Sequence, residues 1–265
     1  MWLAVDPMSV KYPSLSPYVY CANNPVRCVD PNGEELGDYY NIKGQWLGRD
    51  KNTDNVAYTA TSVSKDKNGY VVSAVDKEKL SISNSELLDR ATWVCGESGG
   101  SNELITNRVQ NAGDASKTEN ATVAEYYAAA INNMSINTKG GFYSAIRIRM
   151  SRKGPNGTTI YTSEGYFKGE GNGGNVNSKA FVAARIKGGE ALNADSRFYN
   201  SIGAVINSLN GSDPTGGCRA WLGGKYAAKY VSNPNVKYSN GKSSAKTQFS
   251  FSSKNGTFSH SFYRF

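Results

Sequence analysis

The stretch SNSELLDRATWVCGESGG, Ser83 to Gly100, decides how this chain is read. Ser83 and Glu86 stand three apart, the spacing of a capping box that opens a helix. Leu87, Leu88, Ala91, Val94 and Cys95 recur at the intervals that put side chains on one helical face. Gly99 and Gly100 end the run and leave Glu97 at its C-terminal end. A carboxyl there meets the negative pole of the helix macrodipole, and partial burial also disfavours its charged form. Both effects favour a protonated acid, as general acid catalysis requires. The glycines behind it let a bulky ligand approach the backbone. The plainer reading is a solvated helix-end glutamate before a flexible loop, so the rest of the chain has to choose.

Working outward, TVAEYYAAAINNMS (122–135) places Val123, Tyr126, Tyr127, Ala130, Ile131 and Met134 at helical spacing. SRFYNSIGAVINSLNG (196–211) does the same with Phe198, Ile202, Val205, Ile206 and Leu209, and Gly211 is its stop. Between them, in YSAIRIRMSRKGPNGTTIYTSEGYF (143–167), Ile146 and Ile148 alternate with Arg147 and Arg149 ahead of a Pro155-Asn156-Gly157 turn. That predicts a hairpin inserted between helices, with the two arginines on its solvated face. Residues 36–80 read as β: a Lys43-Gly44 turn and an Asn68-Gly69 turn each sit between alternating arms. TQFSFSSKNGTFSHSFYRF (247–265) alternates around Asn255-Gly256 and predicts a C-terminal hairpin, with His260 a strand residue. The fold class expected is therefore α+β.

Composition narrows the function. The 265 residues are 38% hydrophobic and 20% charged, which is globular usage, and tyrosine (17) greatly outnumbers phenylalanine (9) and tryptophan (4). No segment approaches the roughly 20 apolar residues of a membrane span, so stable membrane insertion is not expected. The start, MWLAVDPMSV, has no basic region followed by an apolar one and does not read as a secretory signal. The formal charge of +8 is concentrated at one end. After Asp213 there is no acidic residue, while Arg219, Lys225, Lys229, Lys237, Lys242, Lys246, Lys254 and Arg264 follow. A surface of one sign concentrates a polyanion; nucleic acid, anionic lipid and anionic cell wall all qualify. Cys21, Cys28, Cys95 and Cys218 form no C-x-x-C pair and His260 is the sole histidine, so no metal site and no cofactor are expected.

The first 35 residues carry most of the prolines. The order Asp6-Pro7, then SPYVY (16–20), then NNP (23–25), then VDPNG (29–33) resembles the C-terminal end of the RHS-repeat-associated core domain. That resemblance implies a polymorphic-toxin architecture, in which RHS repeats enclose a variable toxic domain and this motif marks the junction. The motif here runs into Glu34-Glu35 in place of the usual apolar residue, and the chain reads as the tip or a detached fragment of such a protein. The division implied is 1–35 RHS motif, 36–80 β module and 81–265 toxin domain, although 36–80 also reads as the toxin's own first sheet.

Within 86–224 a second resemblance emerges. A helix ending in Gly96-Glu97-Ser98-Gly99-Gly100 is followed by a small-residue helix ending in Asn132-Asn133. A third helix runs through Asn210-Gly211 into Asp213-Pro214-Thr215-Gly216-Gly217. This order resembles the cell-wall hydrolase family of spore-cortex-lytic enzymes, lysozyme-like glycosidases acting on peptidoglycan. The departures are a lengthened connection after Glu97, Asn132-Asn133 where the family has Asn-Arg, and the hairpin around Pro155. The resemblance implies a lysozyme-like helical core, Glu97 as general acid, and Asp213 as a second carboxylate or as a brace for its turn. Thr215, Gly216 and Gly217 would line the sugar groove. Tyr126 and Trp221 are candidates to touch the sugar, with core packing as the alternative for each.

The function expected is that of a secreted antibacterial effector. It cleaves the glycan of peptidoglycan in a rival's periplasm or wall, as a muramidase or a lytic transglycosylase, and has a cognate immunity protein. The alternatives are a nucleic-acid-degrading toxin, which the basic tail suits, and a non-catalytic wall-binding module. Cys95 and Cys218 flank the two site motifs. Either they bridge across the cleft or they are two buried free thiols.

Overall fold

The computed structural model describes residues 37–52, 55–105, 107–110, 121–153, 159–161, 175–223, 235–237, 244–252 and 259–264. The 1–35 motif, Cys21, Cys28 and the turns at Pro155-Gly157 and Asn255-Gly256 lie outside them. The described chain is α+β and divides into two compact units near Ser85, with residues 42–45 counted in the second.

The described residues of the first unit are β up to Ser83. A four-stranded sheet has the order β2-β1-β3-β6, from Trp46–Arg49, Asp38–Tyr40, Val56–Thr59 and Glu78–Ser83. β1 and β2 form the antiparallel pair expected around Lys43-Gly44, whereas β1 and β3 run parallel. β4 (Ser62–Lys65) and β5 (Val71–Val75) make the second expected hairpin. Tyr39, Ala60 and Val71 form one buried cluster. Buried Asp38 accepts from Trp46 Nε1, Arg49 and Asn84 Nδ2, so its charge is paired and hydrogen-bonded as burial demands.

Among the described residues the second unit holds six helices: α1 (Asn84–Ser98, begun in the first unit), α2 (Val123–Ile136), α3 (Gly141–Met150), α4 (Val176–Lys187), α5 (Gly189–Asn193) and α6 (Ser196–Leu209). α2 opens on a complete capping box, Thr122 with Glu125. Its alanines bring it close to α6, and both helices bury a full face. Among the described residues the largest sheet of the unit has five strands. β10 (Ala220–Gly223), β13 (Ser259–Arg264), β12 (Ser244–Ser252) and β11 (Asn235–Lys237) pair in that order, and β7 (Asn107–Gln110) joins β12. The C-terminal hairpin is thus present, and His260 lies in its second strand. The segment that lengthens the connection after Glu97 supplies β7.

Three segments differ from the sequence reading. Gly141–Met150, expected in part as a strand, is helical, because Phe142, Ala145 and Ile146 are buried together at i, i+3, i+4. The inserted hairpin is reduced to β8 (Ser151–Lys153) and β9 (Thr159–Tyr161), so Arg147 and Arg149 sit in α3 and not on a hairpin face. α4 was not foreseen; Asn175 caps it and Ser178, Phe181 and Val182 are buried.

Candidate active site around Glu97

Glu97 sits in the last turn of α1, partly buried. Its carboxyl is held at both oxygens by tryptophans. Trp93 Nε1, one turn earlier on α1, donates to Oε1 at 3.3 Å, and Trp221 Nε1, on β10, donates to Oε2 at 3.0 Å. The rings behind these N–H groups are packed. Trp93 and Trp221 lie 5.5 Å apart between centroids, Tyr127 meets Trp221 edge-on at 5.2 Å, and Phe262 contacts Trp221 and both tyrosines. Trp221 and Tyr126 are buried, at 5% and 0% exposure. Neither therefore presents a face to a sugar: Tyr126 packs on Phe262, and Trp221 reaches Glu97 through its N–H.

The other end of the motif pair is a closed turn. Asp213 Oδ1 accepts from the Thr215 amide and from Thr215 Oγ1; Oδ2 accepts from the Gly217 amide and from Asn133 Nδ2 at 3.0 Å. Those four donors match the roughly four acceptor positions of an ionised carboxylate. Burial opposes the Asp213 charge, yet the bonds from Thr215, Asn133 and Gly217 outweigh it and hold the carboxyl below the usual aspartate range. Thr215 is itself buried, and its hydroxyl also accepts from the Cys218 amide. Gly216 and Gly217 take φ of +63° and +89°, the left-handed region that glycine tolerates, and Gly216 borders open space. Asp213 therefore braces the turn; it and Gly216 are exposed, while Thr215 is buried.

Two asparagines tie the helices to this turn. Asn133 Nδ2 serves Asp213, Thr215 Oγ1 and the Cys218 carbonyl. Asn132 accepts from Arg90 and donates to the Ser208 carbonyl. Arg90 is buried, which pulls its guanidinium down although Glu86 opposes the shift; it pairs with Glu86 at 2.7 Å and lies over the Phe142 ring. The Asn-Asn pair thus bonds in two directions, toward α1 and α6 through Asn132 and toward the turn through Asn133.

The cysteines are not bridged. Cys95 and Cys218 are free and buried, and burial pushes the Cys95 thiol up to about 11. The reason is helical geometry. Residues 95 and 97 are two apart, about 200° around a helix, so they leave opposite sides of α1. Glu97 meets Trp221 just beyond Cys218, whereas Cys95 Sγ faces the Asn177 carbonyl of α4.

The sequence reading missed Trp93, Arg90 and Asn133 as partners of the site. Trp93 had a signal, since a residue four before Glu97 shares its helical face. Among the described residues there is no group of three or more His, Cys, Asp or Glu that would hold a metal, and no helix is long and apolar enough to cross a membrane. No protein-family model, curated protein or solved structure matches the chain.

Proposed function

We propose that this chain is a lysozyme-like glycosidase that cleaves the glycan of peptidoglycan with Glu97 as its general acid, and that it does so by lytic transglycosylation. The observation that carries the reading is the contrast between two carboxylates. Glu97 is partly exposed and fixed by two side chains, whereas Asp213 has its acceptor positions filled and its acidity raised. A carboxylate in that state is a poor base for activating water. One working acid suffices if the sugar supplies its own nucleophile. Glu97 gives its proton to the bridging oxygen and the C1–O bond breaks, its electron pair leaving with that oxygen. The 6-hydroxyl of the same sugar then bonds to C1, and its proton returns to Glu97. No water is consumed, and the product is an anhydro sugar.

The sequence context supports a role as a toxin against other bacteria, delivered to the periplasm or wall and countered by an immunity protein in the producer. The test is digestion of purified peptidoglycan followed by mass analysis. The expected product is lighter by one water than a hydrolytic product. Glu97→Gln should fold and yield none, because an amide has no such proton to give. Intact glycan after incubation with the wild type overturns the proposal. A second reading, degradation of nucleic acid, is favoured by the acid-free basic segment after Asp213; the same incubation with RNA and DNA decides for it if nucleotides appear.

A further inference from the structure

We infer that Trp93 and Trp221 are positioning residues that clamp the Glu97 carboxyl by both oxygens and fix the direction in which its proton is delivered; as catalysis, this rests on the glycosidase reading above. An indole has one N–H and no acceptor, so each ring can only donate. The two donors come from different elements, α1 and β10, and reach different oxygens, at 3.3 and 3.0 Å. Neither ring is free to turn away. Trp93 is 1% exposed and lies against Phe142 and Trp221; Trp221 is enclosed by Trp93, Tyr127 and Phe262. Rotation of either indole would require repacking of this cluster.

The arrangement has a chemical consequence beyond holding a side chain still. When the proton leaves Glu97 for the bridging oxygen, the electron pair stays on the carboxylate. Two N–H donors are already aimed at that charge, so it is met without reorganisation, the principle by which oxyanion holes work. A protonated carboxyl retains acceptor capacity beside its O–H donor. The clamp therefore persists in both protonation states and leaves the O–H free to point at substrate. When the 6-hydroxyl returns its proton, the base that receives it is in the same place.

The experiment uses the full chain labelled with nitrogen-15 in its tryptophans. Four indole N–H signals are expected from the four tryptophans, and Trp93→Phe and Trp221→Phe assign two of them. On pH titration these two should move together with one midpoint, and both should stop moving in Glu97→Gln. In peptidoglycan digestion, Trp221→Phe keeps an aromatic ring in the cluster but lacks the N–H. Its kcat should fall about 10- to 100-fold, with KM within about twofold, as expected for a lost bond to a charged acceptor. Trp93→Phe should fall less, its bond being longer. Two static indole signals, or Phe variants with wild-type kcat, overturn the inference. If a Phe variant does not fold, the wild-type titration compared with Glu97→Gln decides alone. Titrating indoles in a chain that leaves glycan intact would sink the glycosidase reading and keep the clamp.

Discussion

Replacing Asp213 by asparagine separates a brace from a catalytic base. The aspartate accepts four hydrogen bonds, two at each oxygen. Asparagine can keep the two at its carbonyl oxygen but sets an NH2 group against the other two donors, whichever way it is turned. Bonds to a charged acceptor are worth about 1.5–3 kcal/mol each. Water reaches this exposed side chain and replaces part of that, so the net loss should be about 1–2 kcal/mol. For a unit of this size that lowers the midpoint of thermal unfolding by about 2–8 °C. Activity well below that midpoint should stay within a few-fold of wild type, whereas loss of a general base costs about 10²–10⁴. The two readouts are circular dichroism on heating and peptidoglycan digestion at 25 °C. The sign of the pH dependence follows from the lowered pKa of Asp213. The stabilisation by Asp213 is complete above the usual aspartate value, about 3.9, and is lost as pH falls through the lower folded value. Wild type and variant should therefore converge in stability in acid. A variant as stable as wild type but a hundredfold slower would refute the brace and restore Asp213 to the chemistry.

Adjacent glycines should respond differently to alanine. At Gly100 a new Cβ would lie 2.0 Å from the Arg197 carbonyl oxygen, at Gly99 no nearer than 3.4 Å to Asn177 Nδ2. Gly99→Ala should cost about 1–2 kcal/mol for its left-handed backbone and Gly100→Ala more than about 3 kcal/mol, read from urea unfolding midpoints; equal costs would contradict the close approach. A thiol reagent at pH 8 should leave Cys95 and Cys218 unmodified in the folded chain and label both in denaturant, as peptide mass mapping would report. Expression in the bacterial cytoplasm should be tolerated and export to the periplasm should cause lysis; the reverse pattern with degraded nucleic acid would favour the second reading.

Local signals made much of the second unit legible. The spacing of Val123, Tyr126, Tyr127, Ala130, Ile131 and Met134 specified α2, and the α6 stripe was as clear. The alternation of isoleucine and arginine in 146–149 misled because β-branched residues favour strands, while the burial of Phe142, Ala145 and Ile146 along one helix face prevailed. α4 was hidden by the glycines before it, although Asn175 and Ser178 are an N-terminal signal. Among the site residues, the end of α1 could be read and its partners could not. Whether Trp221 stacks on a sugar or donates to Glu97 depends on how β10 is paired, through Trp221 with Phe262. The same limit left the disulfide open beside the two buried thiols that the structure shows, since closeness to Glu97 in sequence puts Cys95 on the opposite side of α1.

The acid and its second tryptophan are 124 residues apart, and that separation sets an order of events as the chain is made. α1 can form from local contacts soon after it leaves the ribosome. β10 pairs in the sheet with β13, whose residues 259–264 are synthesised about forty positions later. Until that pairing exists, Glu97 has the Trp93 donor and lacks the other. A chain still being translated, or one broken between the two segments, carries the acid in an unfinished holder.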